Sequence, residues 1–395
     1  MSSPNSQMKI AIVGAGLGGL VVARTLEQNG VKCTVYELDA SPVSRPQGGS
    51  LDLHPESGQA ALRTNGLWDQ IQPHIRYEGQ DIYMLDKTGK IWLEKLTGPD
   101  DTARPEVDRG ILRQVYLDSI EEGTIHWGTR IKRIIPVNDE SNTQERSRYT
   151  LVFCDGKEET FDFVIGADGA WSRIRPILSD AKPIYSGVTM VEIGMPNADE
   201  NYPEESKLVG NGSMYALSDN KGLMSQRNGD GSIRNYVTVR VSENGLPEKE
   251  FSDESTARTY LLDQFADWSE KLKNLIRKSQ GIIPRAIYSL PIDHHWTSRP
   301  GVTIIGDAAH LMSPFAGEGV NLAMIDGIEL ALAIIKIMKD GEDLAVCQQE
   351  FEKAMLARSQ VAAEMSATNL DLFISAEAPQ GAVDKIQKIL SNMEG

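Results

Sequence analysis

One stretch constrains this chain more than any other. From Lys9 the sequence reads Lys-Ile-Ala-Ile-Val-Gly14-Ala-Gly16-Leu-Gly18-Gly19, then a helical run to Asn29, then Lys32-Cys-Thr-Val-Tyr-Glu37. Ile10, Ile12 and Val13 predict a short apolar strand, and Gly14, Gly16 and Gly19 match G-x-G-x-x-G. Gly14 allows the tight turn, Gly16 allows close approach of a pyrophosphate, and Gly19 lets the helix lie against the strand. The helix then presents its free N–H groups and positive dipole end to phosphate. Glu37 ends the second strand 18 residues after Gly19. A carboxylate there accepts from ribose hydroxyls. Strand, glycines, helix, strand and acid in this order predict a dinucleotide site. An acid at Glu37 would repel a 2′-phosphate, which favours FAD or NAD over NADP as the resident ligand.

The 395 residues are too many for one simple core, so two domains are expected. A net charge of −16 argues against nucleic acid or an anionic membrane as partner. Cys33, Cys154 and Cys347 have neither metal-ligand nor paired spacing, as expected in a reducing compartment. Residues 1–7 read as a disordered tail, not a signal peptide, and the apolar run Ile328–Met338 is too short to span a bilayer. A cytoplasmic protein is expected.

After Glu37 comes a turn-rich loop containing Arg45. Gly48-Gly49-Ser50-Leu51-Asp52-Leu53-His54 suggests backbone passing close to a ligand. Pro55–Asn65 reads as a helix, and 81–86 with 90–93 as two strands. Pro105-Glu-Val-Asp108-Arg109 opens a helix, with Asp108 as its N-cap and Arg109 and Arg113 on one face. Strands are expected over 124–127, 131–136 and 149–153, with a polar loop at 139–148. A further apolar strand ends at Gly166 and turns through Asp168-Gly169 into a helix capped by Ser172. Alternating segments between 188 and 290 predict an antiparallel sheet interrupted by a helical insert over 255–278. A buried strand then ends in Gly306-Asp307, a helix follows over 322–338, and a last helical region over 344–376 packs across both domains.

The third motif is the most specific: Gly306-Asp307-Ala-Ala-His310-x-x-x-Pro314-x-x-Gly317-x-Gly319-x-Asn321. With the first motif and Asp168-Gly169, it resembles the group A flavin monooxygenases of the para-hydroxybenzoate hydroxylase type. Within that group, Gly48-Gly-Ser-Leu-Asp52-Leu-His54, Pro105-Glu-Val-Asp-Arg109-x-x-Leu-Arg113 and Ile305–Gly317 are similar to tetracycline-inactivating monooxygenases. The resemblance runs from about Met8 to Phe373. It implies an α/β fold: a three-layer, Rossmann-like FAD-binding domain (8–180 and 290–340), a sheet-based substrate domain (181–289), and a C-terminal helical region (341–395) bridging both. It implies FAD, with NADPH or NADH as transient reductant and O2 as co-substrate. Oxygen activated at the flavin C4a position would pass to an electron-rich carbon of tetracycline or another polycyclic phenol or enol.

By this resemblance, cofactor binding falls to Gly14, Gly16, Leu17, Gly19, Glu37, Leu38, Arg45, Gly49, Ser50, Asp52, Arg109, Arg113, Asp168, Gly306, Asp307, Pro314, Gly317, Gly319, Val320 and Asn321. Substrate binding falls to Glu192, Ser213, Arg234, Pro314, Phe315, Ala316, Gly317, Asn369 and Phe373. The flavin carries the chemistry, so no catalytic side chain and no metal are expected. His310 reads as a structural hydrogen-bonding group within the motif. Arg45 reads either as an adenosine or NADPH contact or as a solvated loop arginine. The departures lie at substrate positions. The tetracycline enzymes carry a Gln, an Arg and a His where this chain has Glu192, Ser213 and either Arg234 or Asn235. Leu38 replaces a basic residue. Three readings stand: a tetracycline-oxygenating enzyme, a monooxygenase of another aromatic or polyketide, or a flavin protein that reduces or senses without oxygenating. A monomer is expected.

Overall fold

A computed structural model describes residues 8–98, 100–137 and 147–393, with side chains to residue 388. The expected tail at 1–7 and most of the polar loop at 139–148 lie outside the described residues. The centre of the fold is a five-stranded parallel sheet. Its order is β17 (Val302–Ile304), β11 (Phe163–Gly166), β1 (Ile10–Val13), β2 (Thr34–Tyr36), β7 (Ile125–His126). Every residue of β1 and β11 is buried, as continuous apolar strands of a parallel sheet must be. The helices Leu17–Gln28 and Gly319–Lys339 pack on this sheet and on each other. An antiparallel meander, β8 (Ile131–Pro136), β9 (Tyr149–Phe153) and β10 (Glu158–Phe161), adds Tyr149, Leu151 and Phe153 to the same core. These are the three expected layers.

The second sheet has seven strands in the order β16 (Gln280–Ser289), β12 (Ile184–Met195), β15 (Ile233–Arg240), β14 (Lys221–Arg227), β13 (Ser213–Ser218), β4 (Ile82–Leu85), β5 (Ile91–Lys95). One face carries Val191, Ile193, Ile233 and Val237 against helices Glu254–Gln264 and Glu270–Lys278. The other carries Met190, Tyr215, Met224 and Tyr236. The hairpin β4–β5 corrects the sequence division. It falls within 8–180, yet β4 pairs in parallel with β13 and extends the second sheet. Alternation announces a strand but not its partner.

Two helix expectations also change. Asp108 occupies the N-cap position of Arg109–Asp118, but its carboxylate accepts from Ser50 Oγ (2.6 Å) and Gly229 N (2.8 Å) and does not cap the helix. After Asp168-Gly169 there is only a 3-10 turn, Arg175–Ile177. Ser172 Oγ accepts from the N–H groups of Ile174 and Arg175. The last region is two helices, Leu344–Phe373 and Gln380–Met393. The first buries Phe351 and Met355 in the core of the parallel sheet and Leu370 in that of the seven-stranded sheet, and so bridges both.

Candidate active site

The glycine loop is built for close contact. A Cβ on Gly19 would lie 2.1 Å from the Gly14 carbonyl oxygen, and one on Gly14 would lie 2.3 Å from that of Ala167, at a φ of +106°. A Cβ on Gly16 would meet nothing within 4 Å. The loop therefore packs tightly on its protein side and opens outward at Gly16, which fits a pyrophosphate. Glu37 is buried; its carboxylate accepts from Ala15 N at 2.6 Å and Asp39 N at 2.8 Å. Arg113 is also buried. Its guanidinium donates to the carbonyls of Ala15 (3.1 Å) and Pro42 (3.0 Å) and lies over the Trp127 ring. Arg113 thus ties the glycine loop to the loop at 42. Arg45 pairs with Asp39 at 2.9 Å on the surface, and Leu38 is exposed.

The third motif closes the other end. Gly306 (φ +57°) lets the chain turn after β17, and its N–H donates to Asp326 Oδ2 at 3.2 Å. The same oxygen bonds His310 Nε2 at 2.6 Å, the structural bond expected of that histidine. The Asp307 side chain stays exposed at the mouth of the site. Asp168 binds Arg173 N at 2.6 Å through Oδ2, while its buried Oδ1 has no partner; burial raises its carboxyl above the usual range. Asn321, at the start of helix Gly319–Lys339, is a clamp. Its Oδ1 accepts from the N–H groups of His54 (3.0 Å) and Gly58 (3.2 Å), and its amide donates to the Asp52 carbonyl at 2.9 Å. This seats the 49–54 segment beneath the loop that holds Pro314, Gly317, Gly319 and Val320. An open glycine cradle, an exposed Asp307 and an orphaned buried Asp168 oxygen fit a flavin dinucleotide.

Facing this floor is the inner side of the seven-stranded sheet. Gly49 touches it: a Cβ there would lie 2.9 Å from Gln226 Oε1 and 3.5 Å from Arg234 Cδ. Tyr215 meets the Phe373 ring edge-on at 5.7 Å, and Phe373 meets Phe315 at 5.9 Å. Ser213 lies beside the Tyr215 hydroxyl. Glu192 is held between two cations, Arg234 on β15 and Arg285 on β16. Strand alternation decides between the two candidates at the histidine position. Arg234 lies on the Glu192 face beside Gly49, whereas Asn235 is fully buried on the opposite face, bonded to Ser225 and Ser279. Asn369 holds protein: its amide donates to the Phe315 carbonyl at 2.8 Å and its oxygen accepts from Lys385. It fixes the turn carrying Phe315 and Ala316.

Sequence reasoning missed Arg285, Gln226, Tyr215 and Tyr236. Each lies on the same face of the seven-stranded sheet as Glu192, at an alternate position of a strand that was recognised, so register was the available signal. It also missed Glu106, buried on β6 (Glu106–Asp108), which pairs with β3 (Ser50–Asp52). Arg109 lies against Gly48, and its buried Nε has no partner; burial lowers its pKa.

Comparison with known proteins gives the family. Residues 7–350 match the family model described as FAD binding domain. Monooxygenase asqM of Emericella nidulans is 34% identical over 94% of this chain and 97% of its own length. Monooxygenase penA of Penicillium thymicola is 30% identical over 90% and 91%. Among solved structures, Klebsiella pneumoniae HpxO complexed with FAD and uric acid superposes with a TM-score of 0.78 at 21% identity, covering 97% of this chain and 93% of that one. Tetracycline destructase Tet(55) gives 0.73 at 20% identity over 99% and 97%. The chain belongs to the FAD-binding-domain family and has the fold of the group A flavin monooxygenases. It is an oxidoreductase of the monooxygenase class. Among the described residues, no helix is long and apolar enough to cross a membrane.

Proposed function

We propose that this protein is an FAD-dependent, NAD(P)H-driven monooxygenase of an aromatic or polyketide-type polycyclic phenol, and that tetracycline is not its principal substrate. The bound flavin would supply hydride acceptance and oxygen activation. The chain's own residues would do the rest. The glycine loop, Glu37 and Arg113 would hold the adenosine diphosphate half, and Asp307 the ribityl chain. Helix Gly319–Lys339 would direct its N-terminal N–H groups at the ring system. Phe315, Phe373, Tyr215 and Tyr236 would stack on a planar substrate and exclude water.

The observation that carries the substrate reading is the ion-paired state of Glu192. Its carboxylate engages both Arg234 and Arg285. The cations that could grip the keto-enolate edge of a tetracycline are therefore satisfied within the protein. A site built on hydrogen bonds discriminates strongly when its partners change. The 34% and 30% identical relatives are monooxygenases.

The test is aerobic incubation of the purified flavoprotein with NADPH and either tetracycline or a panel of polycyclic phenols. NADPH oxidation, H2O2 and product mass are followed. The expected result is substrate-stimulated NADPH oxidation and a one-oxygen mass gain with a phenol of the panel, tetracycline remaining intact. Oxygen insertion into tetracycline would restore the tetracycline reading. NADPH oxidation yielding H2O2 alone with every compound would favour a flavin reductase.

A further inference from the structure

Glu106 is a buried acid that this reading leaves unused. In the β3–β6 ribbon, Ser50 faces Asp108, Leu51 faces Val107 and Asp52 faces Glu106. Leu53 N–H donates to the Pro105 carbonyl at 2.9 Å, and Arg109 N–H to that of Gly49 at 3.1 Å. Antiparallel alternation then makes Asp52–Glu106 a non-hydrogen-bonded pair, with Cα atoms about 4.5 Å apart and side chains on one face. The neighbouring pair on that face, Ser50 and Asp108, is in direct contact. Leu51 and Val107 point the other way, into the core. The polar face therefore looks at the seven-stranded sheet. There Gln226 Nε2 donates to Glu106 Oε2 at 3.3 Å, and the buried Tyr215 hydroxyl senses both carboxyls. Arg76 acts on Glu106 through its charge, while its N–H groups bond Ser50 Oγ and the carbonyls of Asn211 and Arg227.

The ribbon continues to the opposite loop. Asp52 Oδ2 lies 2.7 Å from His54 Nε2, and Asp52 Oδ1 would lie 3.6 Å from a Cβ on Gly317. His54 is buried, and its Nδ1, 3.4 Å from Glu318 Oε2, makes no hydrogen bond. Glu318 stands between Gly317 and Gly319, its side chain 18% exposed. Glu318, His54, Asp52 and Glu106 thus lie in succession from the partly exposed turn at Glu318 to the strand pair that faces the seven-stranded sheet.

We propose that Glu106 holds the exchangeable proton of the substrate cavity, and that Asp52, His54 and Glu318 connect it to water. The proposal rests on the monooxygenase reading above. In the delivering direction, the Glu106 O–H bond breaks, a new O–H bond forms on a basic oxygen of the bound molecule, and Glu106 becomes a carboxylate. Two carboxylates this close disfavour joint ionisation. The His54 imidazolium therefore releases its Nε2 proton to Asp52 Oδ2, and Asp52 hands it on to Glu106, so that the N–H bond breaks and the Glu106 O–H bond is restored. His54 regains its proton from water by way of Glu318. One proton enters from solvent, and no electrons move. Run backwards, the same line removes the proton of a phenol. The resting charges suit the task. Burial pushes the Glu106 carboxyl up to about 8, Asp52 and Asp108 push it the same way, and Arg76 opposes. Burial pulls His54 down, but Asp52 and Glu318 outweigh it and hold it up to about 9.

The experiment uses the full-length flavoprotein, Glu106→Gln and His54→Gln. Infrared difference spectra between acid and alkaline pH read the carboxyl directly. The expected result is a protonated carboxyl band in the parent at neutral pH that titrates well above the ordinary carboxylate range and is absent from Glu106→Gln. The second readout mixes dithionite-reduced protein with O2 and follows H2O2 release against pH. Glu106→Gln should lose the alkaline inflection and change the rate by about a hundredfold, the range of a positioned acid or base. His54→Gln should change the rate while keeping the Glu106 band, separating a relay from a folding defect. Glu106 ionised at pH 6, or superimposable pH profiles for parent and Glu106→Gln, would overturn the proposal. Failure of NADPH to reduce the flavin would overturn the monooxygenase reading instead, leaving the infrared result to decide whether Glu106 holds a proton.

Discussion

The His54 ring is sandwiched between Asp52 and Glu318. It is 1% exposed, with a carboxylate at each ring nitrogen. Its folded pKa of about 9 exceeds the unfolded 6.5, so its stabilising contribution is complete below about pH 6.5 and is lost as pH rises through 9. His54→Gln should therefore be less stable than the parent at pH 6, by on the order of 2–3 kcal/mol, with the gap closing by about pH 10. Urea unfolding at the two pH values checks this. Glu192→Gln should leave FAD content and the flavin spectrum unchanged but alter KM for the substrate by about tenfold, since Arg234 and Arg285 lose their carboxylate. A changed flavin spectrum would remove Glu192 from the substrate wall. The motif residues were legible because turn chemistry and phosphate contact demand particular residue types at fixed spacing. The cavity wall was not. Arg234 and Asn235 are adjacent in sequence and point to opposite faces, and only register separates them.

At the scale of elements, Asp326 links three helices. It is fully buried, takes His310 at 2.6 Å and the Gly306 N–H at 3.2 Å, and pairs with Arg358 at 3.0 Å. Arg358 also reaches Glu329 at 2.9 Å. Asp326→Ala leaves the buried His310 Nε2 and the Gly306 N–H without their acceptor and Arg358 with Glu329 alone, and should cost about 3–5 kcal/mol. It should also loosen FAD, because Gly306-Asp307 loses its anchor. Unfolding curves and flavin release on dilution measure the two effects. The expected strands at 131–136 and 149–153 match β8 and β9, because apolar alternation is a local signal. The helical region expected over 341–395 is divided in two: Pro379 interrupts the helical pattern after Phe373, and packing of Ala382 and Val383 beneath the seven-stranded sheet holds the second helix, Gln380–Met393.

At the scale of the molecule, bound cofactor should be part of the fold. Stripping FAD should lower the melting temperature by several degrees. Adding FAD at a hundred times its dissociation constant should return about 2.7 kcal/mol of stability. No shift with added FAD would mean that the cradle between Gly14 and Gly319 is not its site. The fold class was legible in the ordered series of motifs, but the allotment of the chain between the sheets was not. The backbone enters the seven-stranded sheet for β4–β5, leaves it for β6–β11, of which β7 and β11 join the parallel sheet, enters it again for β12–β16 and returns to the parallel sheet for β17. The last long helix then belongs to both. Neither half is a cassette. No single crossover between genes could hand this chain another enzyme's substrate-binding half, because the hairpin β4–β5 would stay behind with the wrong parent.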